Sequence, residues 1–587
     1  MSKLKNFFTK AISLLTPPIK NELPFLVLFF LLISLSPIKF LIGGLSSAGA
    51  MDTIVYTHLC RAMAISYLFT CIVYYSHKKW VKVLFLAIGC MLFGLNIFLW
   101  LVFHKIISPQ IITLIGETNY TEASEFLSTF LLRGKGLLSL FILTITISII
   151  IYVEKKNFLQ IKNATCFCIL SAIILLSSAV GFYHFNVYYQ IFKSKTVDDC
   201  QIGDIFPFDA LTATIYSLNA IRTTNNEMNF AIKVAEAEKG GSITEKDSLH
   251  IILIIGESYI KSHSQVYGYG LPTTPNLKLE EDNGNLFVFN NVVSPFNGTS
   301  PVLKNLFCCN SIAEGEKWYK SPFFPTCFKR SGYTINYWDN QRVTKSQGTW
   351  DFSMNSFLFD KRLCQISYSE AAPEGFPYDD QLISDFEKSG KKKNGKYVFD
   401  IFHLWGQHVD ASERYPHDKF SRFSAKDIRN NEPYMTESKK QDIANYDNAT
   451  YYNDYVINHI INLYRNENTV VVYFSDHGEE IYDYRDSKGR VEAAPGQEKD
   501  WLKYQFEVPF VIWCSDKYKA LHPDIVRRIK ASLNRPFMTD NTCHLLFDLA
   551  GLKTIYYRAE RDLISPKFKP SKRIVNNNTD FDAVMRK

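Results

Sequence analysis

The sequence predicts a two-part protein: an N-terminal domain of five transmembrane helices, then an α/β domain built on a mostly parallel sheet. Three observations carry that expectation. Long apolar runs crowd the first third of the chain. The short loops between them alternate between basic and acidic or neutral. From residue 249 onward, short Ile- and Val-rich runs alternate with helical or loop segments. Averages over all 587 residues blur this contrast, so the two parts are read separately. A net charge of +7 with no long basic block gives no reason to expect a nucleic-acid partner. The densest basic run, Lys391 to Lys393, reads as a solvated loop.

Crossing a hydrocarbon core takes roughly 20 apolar residues in a helix. Five segments qualify or nearly do: Pro24–Gly43, Thr57–Tyr75, Val83–Phe103, Leu137–Val153 and Thr165–His184. The second contains Arg61 near one end, where a long side chain can reach the interface. The first lacks a small-residue cleavage pattern after it and reads as a permanent anchor. Lys3, Lys5, Lys10 and Lys20 precede the first helix. Lys78, Lys79 and Lys82 follow the second, and Lys155, Lys156 and Lys162 follow the fourth. The positive-inside rule puts these on the cytoplasmic side. The loop 104–136, with Glu117, Glu122 and Glu125, then lies outside. So does everything after about residue 190. The expected organisation is a transmembrane domain over 1–190, a linker over 191–248, and a catalytic domain over 249–587. The stretch Pro207 to Lys239 has helix-compatible spacing and reads equally as an interfacial or a linker helix.

In the second part, strands are expected at His250–Ile255, Leu286–Val293, Thr334–Trp338, Tyr397–Leu404, Thr469–Phe474 and Val508–Trp513, with helices at Lys439–Asn466 and Thr539–Ala550. Runs such as IILII and VVVYF show no polar alternation, as fits strands buried on both faces. Ligands of such sheets bind beyond the carboxyl ends of the strands, and polar residues gather there. Gly256-Glu257-Ser258 follows the first strand, and Ser294 to Ser300, including Gly298-Thr299, follows the second. Gly406-Gln407-His408 follows Tyr397–Leu404, and Ser475-Asp476-His477 opens the segment after VVVYF. Carboxylate and imidazole together suit zinc, at about 2.0–2.2 Å. Beside such an ion a Thr hydroxyl can serve as a nucleophile, a combination suited to phosphoryl transfer. Singly each signal is weak; their recurrence at successive strand ends gives them weight.

The segment IIGESYIKSHSQVYGYGLPTTPNL resembles the opening of the phosphoethanolamine transferases of the alkaline phosphatase and sulfatase superfamily. NNVVSPFNGTSPVLKNL, YTINYWDNQ, FHLWGQHVDASERYP, IANYDNATYYNDYVI and VVYFSDHGEEIYD match in family order, and GETNYTEASEFL matches in the outer loop of the membrane part. The SDHGEE and ETN..EASE strings are most similar to the branch that modifies the lipopolysaccharide core. The resemblance implies an alkaline-phosphatase/sulfatase-like fold on the outer side of a bacterial inner membrane, facing the periplasm. It implies one zinc ion, bound by Glu257, Thr299, Asp476 and His477, with Thr299 as the nucleophile. His408 would face the phosphate, and Lys345 and Asn340 the substrate. Thr118 and Glu122 in the membrane loop would hold the lipid; Glu122 also reads as the cap of a short interfacial helix. Phosphatidylethanolamine would be the donor and lipopolysaccharide, at core heptose or lipid A, the acceptor.

Two departures stand out. Relatives carry a further histidine downstream of SDHGE, but Gly489–Phe510 contains none; Lys503 and Tyr504 stand near the expected place. That puts a second metal in doubt. Pro295 stands where the lipid A branch has a cysteine. Seven of the 12 cysteines follow residue 195, and in an oxidising compartment some are expected to pair, without a pairing that the sequence defines. A sulfatase reading fails because Thr299 to Lys304 lacks the required arginine. A glycerol-phosphate transferase and an inactive membrane assembly or sensing protein are the competing readings.

Overall fold

The computed structural model describes residues 2–34, 50–103, 107, 112, 131–132, 134–156, 160–194, 209–341, 358–372, 375–390, 395–408, 411–490 and 493–586. The chain divides into two compact units, Met1–Glu227 and Met228–Lys587.

The first unit holds helices α1 (Ser2–Ser34), α2 (Ala50–Ser76), α3 (Lys79–Phe103), α4 (Gly134–Lys156), α5 (Ala164–Tyr183) and the short α6 (Asn186–Lys193). Among the described residues, five stretches are long and apolar enough to cross a membrane: Ser13–Ser34, Tyr56–Ser76, Lys79–Val102, Gly134–Lys156 and Ala164–Lys193. The first begins earlier than the expected Pro24, because α1 continues through Pro17, Pro18 and Pro24, with its break in helical geometry at Glu22. Lys82 pairs with Glu22 at 2.7 Å and with Glu154, joining the kink of α1, the start of α3 and the end of α4. All three groups lie on the side assigned to the cytoplasm from loop charges. Arg61 does not reach out to an interface: it is buried against His58 and the Asp209 carboxylate, 3.3 Å away. Asp209 also accepts a bond from Thr212 N and so caps α7 (Ala210–Ala237). An arginine in hydrocarbon needs such partners.

The second unit is organised by a seven-stranded sheet. Its strands are β1 (Leu249–Gly256), β2 (Leu286–Val288), β3 (Thr334–Asp339), β4 (Glu370–Ala371), β5 (Tyr397–His403), β6 (Thr469–Ser475) and, after the hairpin β7 (Glu480–Ile481) and β8 (Lys488–Gly489), β9 (Phe510–Cys514). The order is β2-β9-β6-β1-β5-β3-β4. Six strands share one direction, and only β9, antiparallel to both its neighbours β2 and β6, runs the other way. In register Ile251 faces Phe399 and Val470, and Gly256 faces Ser475. Alternate residues of one strand enter different cores. Ile251, Leu253, Ile255, Val470 and Val472 pack on one face, and Ile252, Ile254, Val471 and Tyr473 on the other. Helices α8 (Thr299–Leu306) and α11 (Thr542–Leu549) contribute to the first core, and α9 (Asp379–Ser389) and α10 (Glu437–Tyr464) to the second. Every residue of β1 is buried. Full burial of an Ile or Val contributes about 1.5–3 kcal/mol, so this central pair of strands has little freedom to shift. The expected strand Leu286–Val293 ends at Val288, because Asn290 N turns to Leu533 O; Val292–Val293 pairs separately with Phe537–Met538.

Candidate active site

Strands β1 and β6 are adjacent and parallel, so the residues that follow them emerge side by side. Glu257, Asp476 and His477 are fully buried there, each offering a ligand atom within 4.8 Å of the others. His477 Nε2 lies 3.1 Å from Asp476 Oδ2 and 3.3 Å from Glu257 Oε1. His477 Nδ1 sits 2.8 Å from the carbonyl of Gly478. A carbonyl only accepts, so Nδ1 carries the proton and Nε2 turns its lone pair towards the carboxylates. Asp476 Oδ1 accepts from Ser258 N and His477 N, whereas Oδ2 is buried without a hydrogen-bond partner. Ser258 holds a left-handed backbone (φ 55°) at this point and donates its hydroxyl to Glu257 at 2.7 Å. A non-glycine residue in that conformation is strained and held by its surroundings.

Thr299 is the first residue of α8, with Gly298 as its N-cap. Its hydroxyl lies 2.9 Å from Glu257 Oε2 and 3.3 Å from His477 Nε2. The free N–H groups and the dipole at this helix end favour negative charge on that oxygen. The loop before it is braced from outside. Asn297 donates to Gln505 at 2.7 Å, and the hydroxyl of Ser294 donates to Phe296 O. The C-terminal tail reaches the same loop: Asn576 N donates to Pro295 O, and Arg573 donates to Asn291 Oδ1.

Electrostatics mark the centre as short of a cation. Burial, and then the Glu257 carboxylate, push Asp476 up to about 7. Two buried carboxylates, one of them with an orphaned oxygen, and an imidazole lone pair converging on one point fit a zinc ion, with the Thr299 hydroxyl as a further oxygen donor.

The other expected residues divide. His408 lies after β5, half-buried, with its ring beside Trp405, and its charge acts on Glu257. Its loop can approach because Gly406 adopts φ 51°; a Cβ there would meet Glu257 N and O at 2.8 Å. Asp379 accepts from Trp405 N and Gly406 N and so fixes that loop. Asn340 is turned away from the centre. Its amide donates to Asp379 at 2.8 Å and accepts from Phe376 N. The next residue, Gln341, instead donates to Glu257 Oε2 at 2.9 Å. Lys345, Thr118 and Glu122 lie outside the described residues. Lys503 and Tyr504 belong to the helix Glu498–Phe506, where Tyr504 stacks on Tyr484. The described cysteines are all free thiols, and Cys308, Cys309, Cys327 and Cys543 share one core. Sequence reasoning did not single out Gln341, His403 or Arg490. His403 is buried at the end of β5 against Asp339, at 3.0 Å, and Arg490 is treated below.

A family model described as Sulfatase matches residues 250–552, more than half of the chain. The phosphoethanolamine transferase EptC of Escherichia coli K12 is 27% identical over 518 residues, 85% of each chain. CptA, the phosphoethanolamine transferase of Salmonella typhimurium, is 25% identical over 524 residues, again 85% of each. Among solved structures, the integral membrane protein lipooligosaccharide phosphoethanolamine transferase A of Neisseria meningitidis covers 94% of this chain and 99% of its own, with a TM-score of 0.56 at 16% identity. At that identity the likeness is one of fold, and it extends over helices and sheet alike. Together with the apolar helices found among the described residues, it agrees with the expected multi-pass membrane domain. The architecture expected from the sequence is the one observed, and the chain belongs to the sulfatase family.

Proposed function

We propose that this chain is a phosphoethanolamine transferase of the lipopolysaccharide type, with Thr299 as its nucleophile. It would take the headgroup from phosphatidylethanolamine and pass it to a lipopolysaccharide acceptor on the periplasmic side. One observation carries this reading: a threonine hydroxyl at a helix N-terminus, 2.9 Å from Glu257 and 3.3 Å from His477, beside an unpartnered oxygen of Asp476. The relatives named phosphoethanolamine transferase support the substrate class.

Glu257, Asp476 and His477 would hold a zinc ion, which when bound lowers the pKa of a hydroxyl beside it and offsets phosphoryl charge. Glu257 Oε2 receives the hydrogen bond of Thr299 and would orient its hydroxyl for attack. The Thr299 oxygen attacks phosphorus; the bond from phosphorus to the glycerol oxygen breaks, and diacylglycerol leaves with a proton. His408 stabilises the phosphoryl oxygens. The phosphoester on Thr299 is then attacked by an acceptor hydroxyl or phosphate, and the threonine is restored. The membrane helices keep the centre close to a donor whose acyl chains stay in the bilayer, which raises its effective concentration.

The test uses the full-length protein in detergent with headgroup-labelled phosphatidylethanolamine. Intact mass is expected to show a phosphoethanolamine adduct on the wild type and none on Thr299→Ala, with diacylglycerol released. An adduct or release with phosphatidylglycerol but not phosphatidylethanolamine would replace this reading by glycerol-phosphate transfer. Zinc-loaded, folded protein that releases no diacylglycerol from either donor would overturn it.

A further inference from the structure

The hairpin after His477 brings a guanidinium over the proposed metal centre. In its ladder Lys488 faces Ile481 and Gly489 faces Glu480, so the next residue, Arg490, is carried back towards Glu479 and His477. The hairpin is held in place by Glu480. Its carboxylate accepts from Arg485 Nε at 2.7 Å and Nη2 at 2.6 Å, from Tyr484 at 2.6 Å and from Gln505 at 2.7 Å. The placement of Arg490 therefore follows from backbone register and a buried anchor. Its Nη1 lies 3.0 Å from His477 Nε2, the nitrogen that also lies 3.3 Å from the Thr299 hydroxyl. A guanidinium only donates, so this contact uses the same lone pair that a metal would take. Arg490 itself is exposed, whereas Glu257, Asp476 and His477 are fully buried.

With the hairpin anchored through Glu480, Arg490 would stay near His477 if Nε2 were given to a metal. Because the Thr299 hydroxyl and the guanidinium approach the same nitrogen, a phosphoryl group carried on Thr299 would present its remaining oxygens within reach of Arg490. Planar, permanently charged donors suit that contact. Among the described residues, Glu257, Asp476 and His477 are the only group able to hold a metal. We propose that Arg490 clamps the phosphoryl group carried on Thr299, doing with a guanidinium what a second cation would do, and that the centre takes a single divalent ion. This rests on the phosphoryl-transfer reading of the same site.

The test needs no lipid. Full-length protein in detergent is loaded with zinc and desalted, bound zinc is counted by plasma mass spectrometry, and inorganic phosphate is titrated by calorimetry. One zinc per chain is expected for the wild type; two would overturn the single-ion half. Arg490→Ala is expected to keep the zinc and to bind it as tightly or more tightly. Its phosphate affinity should fall by roughly 10- to 100-fold, the range for losing a hydrogen bond to a charged group. Arg490→Lys should recover part of the loss. Unchanged phosphate affinity in the zinc-loaded Ala variant would overturn the clamp and leave the transferase reading standing. Weakened zinc binding in that variant would make Arg490 a structural support of His477 and also overturn it. A wild type that binds no zinc would overturn both readings.

Discussion

His263 illustrates how a single residue can be decided by its neighbours. It is buried with Nδ1 2.7 Å from Asp447 and Nε2 2.8 Å from Asp483. Burial opposes its protonation, but Asp483 and Asp447 outweigh that and raise it to about 10. Unfolded histidine titrates near ~6.5. This group therefore stabilises the fold fully below about 6.5, and the contribution is lost as pH rises towards about 10. His263→Asn is expected to lose roughly 3–5 kcal/mol near neutral pH, since it leaves buried carboxylates uncompensated. Its stability should then fall less than the wild type's between pH 7 and 10. Denaturant melts across that range check this, and parallel slopes would refute it. Nothing local in IKSHSQ announces the pair, because Asp447 and Asp483 come from distant segments. Glu257, Thr299, Asp476 and His477 were legible because each follows a strand that could be recognised. Gln341 was passed over beside Asn340 because adjacent residues point in different directions and only packing shows which one faces the site.

At the scale of elements, runs buried on both faces were the easiest to read. IILII and VVVYF lie in the two central strands, and observed ends agree with expectation to within a residue or so. Short or edge elements were harder. β2 stops at Val288 because the chain leaves the sheet for Leu533, and β9 runs antiparallel, which no periodicity encodes. The β7–β8 hairpin carries no Asn-Gly or Asp-Gly turn, so its return over His477 is invisible before folding. The loop after β5 depends on Gly406, whose φ of 51° and contact with Glu257 leave no room for a side chain. Gly406→Ala is expected to cost about 1–3 kcal/mol through strain. It should reduce transfer far more than it reduces stability, because it pushes His408 away from Glu257. Matched melts and diacylglycerol-release rates test this; equal losses in both would point to global unfolding instead.

For the whole molecule, the distribution of lysines makes a topological prediction. The amino terminus, the α2–α3 junction and the end of α4 face the cytoplasm, and the unit Met228–Lys587 faces the periplasm. A phosphatase domain fused after Lys587 should be active and a fluorescent protein dark at the same point; the reverse pattern would invert the assignment. Cysteines introduced near Lys156 should be shielded from impermeant thiol reagents in intact cells.

The sequence by itself determined the two-part plan, the five apolar helices, the central strands and the acid, hydroxyl and imidazole residues at their ends. These are properties of local composition and period, and they survive without knowledge of the fold. Tertiary structure alone decided which side chains meet. It set Gln341 rather than Asn340 on Glu257, paired Arg61 with Asp209, drew the C-terminal tail against the Thr299 loop, and returned Arg490 over His477. The reason is that such contacts depend on register and on segments far apart in the chain, which settle only when burial on both faces of the sheet fixes every strand at once.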